Sequence, residues 1–341
     1  MKHEIDLSKY KVRTDLIVES IEELDGVKCD TKVYDDIKVS ESYIDDKISK
    51  KIGKKAGNYI TIEFKDVTDY ENSKKLEKIF SDTLKKLLND INIDDDASCM
   101  VVGLGNSKST PDSLGPLATA NILVTNHLFK TGEVSDGFRR VFISIPGVMG
   151  QTGLETSDVI MSLVKKFKPD FLIVIDALAS KSLEHVTRTI QITDTGIHPG
   201  SGVGNSRKEI SFDTLKIPCI AIGIPTVVDA ISIVSDTINY MHKHYSYSKA
   251  NIDNPMNKLM INTPNYLNKK ITLNENDKKY LLGAVGTLSD RELRTLLDEV
   301  LSPIGFNLMV TVKEVDFIIE KLSLVISNGI NRCLHKNVNF D

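Results

Sequence analysis

Residues 99–116 read CMVVGLGNSKSTPDSLGP. The first six residues carry no charge, follow the acidic run Asp94-Asp95-Asp96, and give way to a stretch rich in Gly, Ser and Pro. That is the pattern of a fully buried strand leaving a sheet into a polar loop. Four more segments share it: VFISI (141–145), FLIVI (171–175), TIQI (189–192) and CIAIGI (219–224). Between them, residues 114–129, 156–167 and 227–244 have helix-like patterning. Apolar strands alternating with helices predict the α/β class, a mainly parallel sheet sandwiched by helices. Upstream, Gly26, Gly53 and Gly57 punctuate short stretches that include the alternating YITIEF (59–64), so residues 17–64 are expected as a small accessory β-rich region. Leu76, Ile79, Phe80, Leu84, Leu87, Leu88 and Ile91 recur at helical spacing. Residues 245–280 turn rich in Asn, Lys and Tyr and read as an inserted excursion, and helices over 290–301 and 313–326 are expected to pack back on the sheet. The expected organisation is one catalytic α/β domain over residues 16–341.

Composition narrows the function. The 341 residues hold 43 basic and 47 acidic side chains, a formal net charge of -4, so the broad basic field that grips a phosphate backbone is absent and no direct nucleic-acid partner is expected. No run approaches the length of a membrane span, and the charged N-terminus does not read as a signal peptide, so no membrane partner is expected and the expected location is cytoplasmic. Cys29, Cys99, Cys219 and Cys333 lie far apart with no C-x-x-C pair, which predicts reduced structural thiols. No metal and no cofactor is expected. Gly103-x-Gly105 lacks the third glycine of a dinucleotide turn because residue 108 is Lys, no P-loop follows, and there is no H-E-x-x-H or G-x-S-x-G. His242-x-His244 reads as a solvated helix end.

In an open parallel sheet, ligands bind where strands end, so polar residues at strand exits carry the chemistry. Gly103 and Gly105 permit a tight turn at the first exit, where Pro111 leads to Asp112 at the start of the next helix. At the third exit Asp176 closes the run Phe171–Ile175. Two carboxylates at like ends of parallel strands can converge, and a pair close enough to share a proton supplies a base and an acid together. The simpler reading of Asp112 is a helix cap. Asp176 is harder to reduce to structure, because an ionised carboxylate after five apolar residues needs partners or water. The fourth exit, DTGIHPGSGVGN (194–205), offers Asp194 and His198 as further cleft residues, either metal ligands or a general-base pair. In the exit PGVMGQTGLETSD (146–158), Thr156 or Ser157 is expected to cap a helix.

The segments VVGLGNSKSTPDSLGP, PGVMGQTGLETSD, VIDALAS, TDTGIHPGSGVGN, IGIPTVVDA and LMVTVKEVD closely resemble the germination protease family of spore-forming bacteria. The resemblance implies an endopeptidase that degrades small acid-soluble spore proteins during germination, located in the spore core, with a fold similar to the hydrogenase maturation proteases. It implies catalytic aspartates in the T-P-D and I-D-A-L segments, which here are Asp112 and Asp176, and an atypical aspartic mechanism. A metal-dependent protease using the same cleft, and a non-catalytic peptide- or anion-binding module, are the competing readings. The family's zymogen removes a short N-terminal segment by cutting after an acidic and before an apolar residue. Arg13-Thr14-Asp15-Leu16 fits, so residues 1–15 are expected as a propeptide cut between Asp15 and Leu16. A homotetramer is also implied.

Overall fold

The computed structural model describes residues 14–21, 24, 27–199, 208–252, 275–301 and 308–338. In chain order the elements are α1 (Ile17–Ile21), β1 (Cys29–Tyr34), β2 (Ile37–Ile44), α2 (Asp46–Ile52), β3 (Gly57–Glu63), α3 (Tyr70–Asp90), β4 (Cys99–Gly103), α4 (Leu114–Ala120), α5 (Asn126–Thr131), β5 (Val141–Ser144), α6 (Met149–Thr152), α7 (Thr156–Phe167), β6 (Phe171–Ser180), β7 (Thr189–Thr193), α8 (Phe212–Leu215), β8 (Cys219–Asp229), α9 (Ala230–Ala250), α10 (Glu275–Leu282), α11 (Asp290–Leu301), β9 (Met309–Val310) and α12 (Val315–Leu334).

The strands form one sheet in the order β1-β2-β3-β7-β8-β6-β4-β5, with β9 pairing β8. The α/β class holds, but the sheet is mixed. β4 runs parallel to β5 and β6, whereas β7 is antiparallel to both β3 and β8. β6 and β8 set out side by side, since Leu172 N–H donates to the Pro218 carbonyl (2.9 Å), and further along a Cβ built at Gly223 would meet the Leu178 side chain. The expected accessory strands are β1 to β3, which extend the sheet through β3 and β7.

β4 and the first five residues of β6 are apolar at every position and buried on both faces. Cys99, Val101, Phe171, Ile173 and Ile175 point into a core shared with α3, α4 and α12, while Met100, Val102, Leu172 and Val174 pack with Ile160 and Val164 of α7. Helix α12 comes so close to α3 that a Cβ on Gly329 would lie 2.3 Å from Phe80 Cδ1, and Phe80 is fully buried. Glycine inside a helix normally lowers stability relative to alanine, yet here a side chain has nowhere to go. Gly329→Val should therefore cost about 1–3 kcal/mol, measured by urea unfolding of the full chain.

The single domain expected over 16–341 divides into two compact units. One comprises residues 13–227 with 311–341, and the second takes in residues 228–310. The second is wider than the predicted excursion, most of which (253–274) lies outside the described residues. It has packing of its own, with α10 and α11 against α9 and β9 paired to Val228 and Asp229. The expected helix over 290–301 is α11 of this unit, and α12 packs on the sheet. His242 is buried rather than solvated, and burial together with the Lys278 charge holds its imidazole below the ordinary value. Cys99, Cys219 and Cys333 are buried, while Cys29 lies exposed on β1. No described helix is long and apolar enough to cross a membrane.

Candidate active site

The parallel ladder between β4 and β6 ends at Gly103 and Ile175. β4 leaves the sheet there while β6 continues to Ser180, so Asp176 is the first residue of β6 beyond that pairing and not the end of its strand. Its side chain is 6% exposed, and its Oδ1 accepts the Ala177 N–H at 2.9 Å.

The chain leaving β4 turns back toward the same point. Leu104 N–H donates to the carbonyl of Ile175, the neighbour of Asp176, at 2.8 Å. Gly105 then adopts φ +111°, a conformation that favours glycine, and a Cβ there would lie 2.1 Å from the Asp112 carbonyl oxygen. Thr110–Asp112 forms a single 3-10 turn packed against β6. The Asn106 N–H donates to both the Asp112 carbonyl (3.0 Å) and Asp112 Oδ2 (2.9 Å). The N-cap of α4 is Ser113, so Asp112 stands one residue before the capping position. Gly103 and Gly115 let α4 settle on the two strands: a Cβ on Gly115 would fall 2.1 Å from the Leu104 oxygen and 2.6 Å from the Ile175 oxygen. The two aspartates are thus carried by one tightly fastened assembly of β4 exit, 3-10 turn, α4 and β6.

Three residues that the sequence reading passed over support it. Thr226, near the end of β8, donates its hydroxyl to the Pro111 carbonyl at 2.6 Å and so ties the 3-10 turn to a third strand. Asn106 Oδ1 accepts from the Gln151 side chain, linking the first and second exits. In that second exit the helix cap is Glu155, and Thr156 instead donates to the Gly147 carbonyl at 3.1 Å. Thr226→Val should lower kcat by up to about fivefold, because loss of one hydrogen bond of about 1 kcal/mol loosens the turn carrying Asp112. Steady-state kinetics and a thermal melt check this.

Asp194 and His198 do not join this group. β7 runs against β8, with Thr193 opposite Ala221, so Asp194 emerges at the sheet edge where β8 and β6 begin, opposite to Asp176. Its carboxylate accepts the Asn58 backbone N–H (2.9 Å) and side-chain amide (2.6 Å), and His198 Nε2 meets Glu209 at 3.0 Å with its side chain half exposed. Each is held by its own partner rather than by the other. Residues 200–205 of that exit lie outside the described residues. Among the described residues, no three His, Cys, Asp or Glu side chains are grouped to hold a metal ion.

The model of the germination protease family matches residues 4–341. The chain belongs to that family. The germination protease of Priestia megaterium is 48% identical over 360 residues, covering 99% of this chain and 97% of that one, and that of Bacillus cereus is 48% identical over 100% and 98%. The family's activity, proteolysis, is that of this chain. Among solved structures, the [NiFe] hydrogenase maturation protease HycI of Thermococcus kodakarensis aligns with 42% of this chain and 80% of its own at 16% identity and a TM-score of 0.28, which carries no argument by itself.

Proposed function

We propose that this protein is the endopeptidase that begins the breakdown of small acid-soluble spore proteins at germination, working in the cytoplasm of the spore, and that Asp112 and Asp176 are its catalytic pair. One carboxylate takes a proton from water as the water attacks the scissile carbonyl, and the other, protonated, donates to the carbonyl oxygen. Like charges at close range push their pKa values apart, which keeps one group of such a pair protonated while the other is ionised. The observation that carries the reading is that the loop leaving β4 is bonded at Leu104 to Ile175, the residue before Asp176, and at Asn106 to Asp112, within a chain of the germination protease family.

We further propose that the chain is made as a zymogen that cuts itself between Asp15 and Leu16. Residues 1–13 lie outside the described residues, but Thr14 and Asp15 are held on the catalytic unit. Asp15 N–H donates to the Ala179 carbonyl (3.0 Å), Asp15 Oδ2 accepts the Ala179 N–H (2.9 Å), and the Asp15 carbonyl accepts from Gln191 (3.0 Å). Ala179 lies on β6, three residues after Asp176. A segment held there needs only a few kcal/mol of preference for one arrangement of the strand to set which arrangement dominates.

Incubating the purified protein with a small acid-soluble spore protein, with and without a chelator, and mapping the new chain ends by mass spectrometry tests the function. Cuts after Glu or Asp in both samples are expected. An intact substrate would contradict the function, and reversible loss of activity with the chelator would contradict the two-carboxylate mechanism.

A further inference from the structure

Glu19 is a buried carboxylate with donors on two sides. From the end of β6 and the residues after it come the Ser180 hydroxyl (2.6 Å) and the backbone N–H groups of Lys181 and Ser182 (both 2.8 Å). From its own N-terminal side comes the Thr14 hydroxyl, which also accepts the Leu16 N–H at 3.0 Å. Helix α1 starts at Ile17, so Leu16 stands at the N-cap and Glu19 at the third helical position. At that spacing a glutamate reaches back to the N-cap nitrogen. Here the Thr14 hydroxyl lies between the two groups and bonds to each.

We propose that Glu19 is the receptor for the α-ammonium group created at Leu16 by the cut, and that this ion pair transmits the cut to β6, the strand of Asp176. The inference rests on the processing reading above. Hydrolysis adds water across the Asp15–Leu16 bond, so Asp15 leaves with a new α-carboxylate while the Leu16 nitrogen keeps one proton from water and takes up another from solution to become an ammonium. Thr14 departs with Asp15, and Glu19 loses a donor at the moment a cation appears within reach. A bond with charge on both partners then replaces one in which only the acceptor is charged. The new terminus stays in place because Leu16 and Ile17 are fully buried, with Ile17 packed on Ile44 and Tyr59 and its N–H on Gln191 (2.5 Å).

The surrounding charges fit the exchange. Before the cut, Asp15 and Glu19 face the partly buried ammonium of Lys54, which donates to the Thr14 carbonyl at 2.5 Å. Burial pulls the Lys54 pKa down while these two carboxylates pull it up, and burial prevails. After the cut, Asp15 is gone and the Leu16 ammonium and Lys54 share Glu19. The departure of Asp15 frees both backbone groups of Ala179, while the Glu19 bonds at residues 180–182 remain. Glu19 is a positioning residue, since it acts on the catalytic strand through its backbone.

The test begins by letting the wild-type chain cut itself and confirming Leu16 as the new N-terminus by mass spectrometry. The folded, cut protein is then treated with an α-amine-selective acylating reagent near neutral pH. The Leu16 amine should react about tenfold more slowly than in the denatured protein, the effect of raising an amine pKa by one unit, and acylated protein should lose activity. Glu19→Gln should restore fast acylation and lower the activity of the cut enzyme, and Glu19→Asp should recover part of both. Wild-type Leu16 that acylates as fast folded as denatured, or acylated enzyme with full activity, would overturn the proposal even where Glu19→Gln fails to fold. Absence of a cut between Asp15 and Leu16 would overturn the processing reading and this proposal together, whereas a correct cut with an unprotected amine would overturn this proposal alone.

Discussion

Asp176→Asn and Asp112→Asn should each lower kcat/KM for peptide cleavage by about 10²–10⁴-fold, the range supplied by a positioned general acid or base. Asparagine keeps the shape of aspartate and an oxygen that accepts a hydrogen bond, so Ala177 N–H and Asn106 N–H keep their partners at the two positions. What is lost is the ability to hold or release a proton. Because the shape and the Ala177 bond are kept at position 176, the fold should survive while activity collapses. Steady-state kinetics beside a thermal melt separates the two effects, and full activity in either variant would remove that residue from the chemistry.

Gly115→Ala should be nearly as damaging without touching a reacting group. An alanine inside a helix ordinarily adds up to about 1 kcal/mol of stability over glycine. At Gly115 the new methyl would fall 2.1 Å from the Leu104 carbonyl oxygen, 2.6 Å from that of Ile175 and 2.7 Å from the Leu104 nitrogen. All three are backbone atoms of β6 or of the chain leaving β4, and no side-chain rotation relieves the contact. Helix α4 must move away, and the turn carrying Asp112 moves relative to Asp176. Since a misplacement of about 1 Å can cost on the order of 10²-fold, kcat should fall by about that factor, with about 1–3 kcal/mol lost from stability. A variant as active and as stable as the wild type would show that α4 does not set the spacing of the two aspartates.

The parallel part of the fold was legible because it rests on local pattern. Uncharged runs such as CMVVGL and FLIVI admit only strands covered on both faces, and a carboxylate beside such a run is conspicuous. Strand direction is not local. TIQI looks like its neighbours, yet β7 runs antiparallel because β3 pairs with it, and this reversal puts Asp194 and His198 at the opposite sheet edge. The role of Gly115 was hidden because its reason is a contact with backbones around positions 104 and 175. Glu19 left a readable trace: its three-residue spacing from Leu16 is that of an N-cap and its reciprocal glutamate. The meaning of that trace depends on residues 180–182, which no spacing rule connects to it.

That Asp112 and Asp176 act as one catalytic unit is tested most directly by measuring kcat/KM for cleavage of a small acid-soluble spore protein by both single Asn variants and by the double variant. Groups that act together lose their contribution together, so the double variant should be no more than a few-fold slower than the worse single variant. Losses that multiply, with the double variant slower by the product of the two single effects, would mean that the aspartates act independently and would contradict the two-carboxylate mechanism.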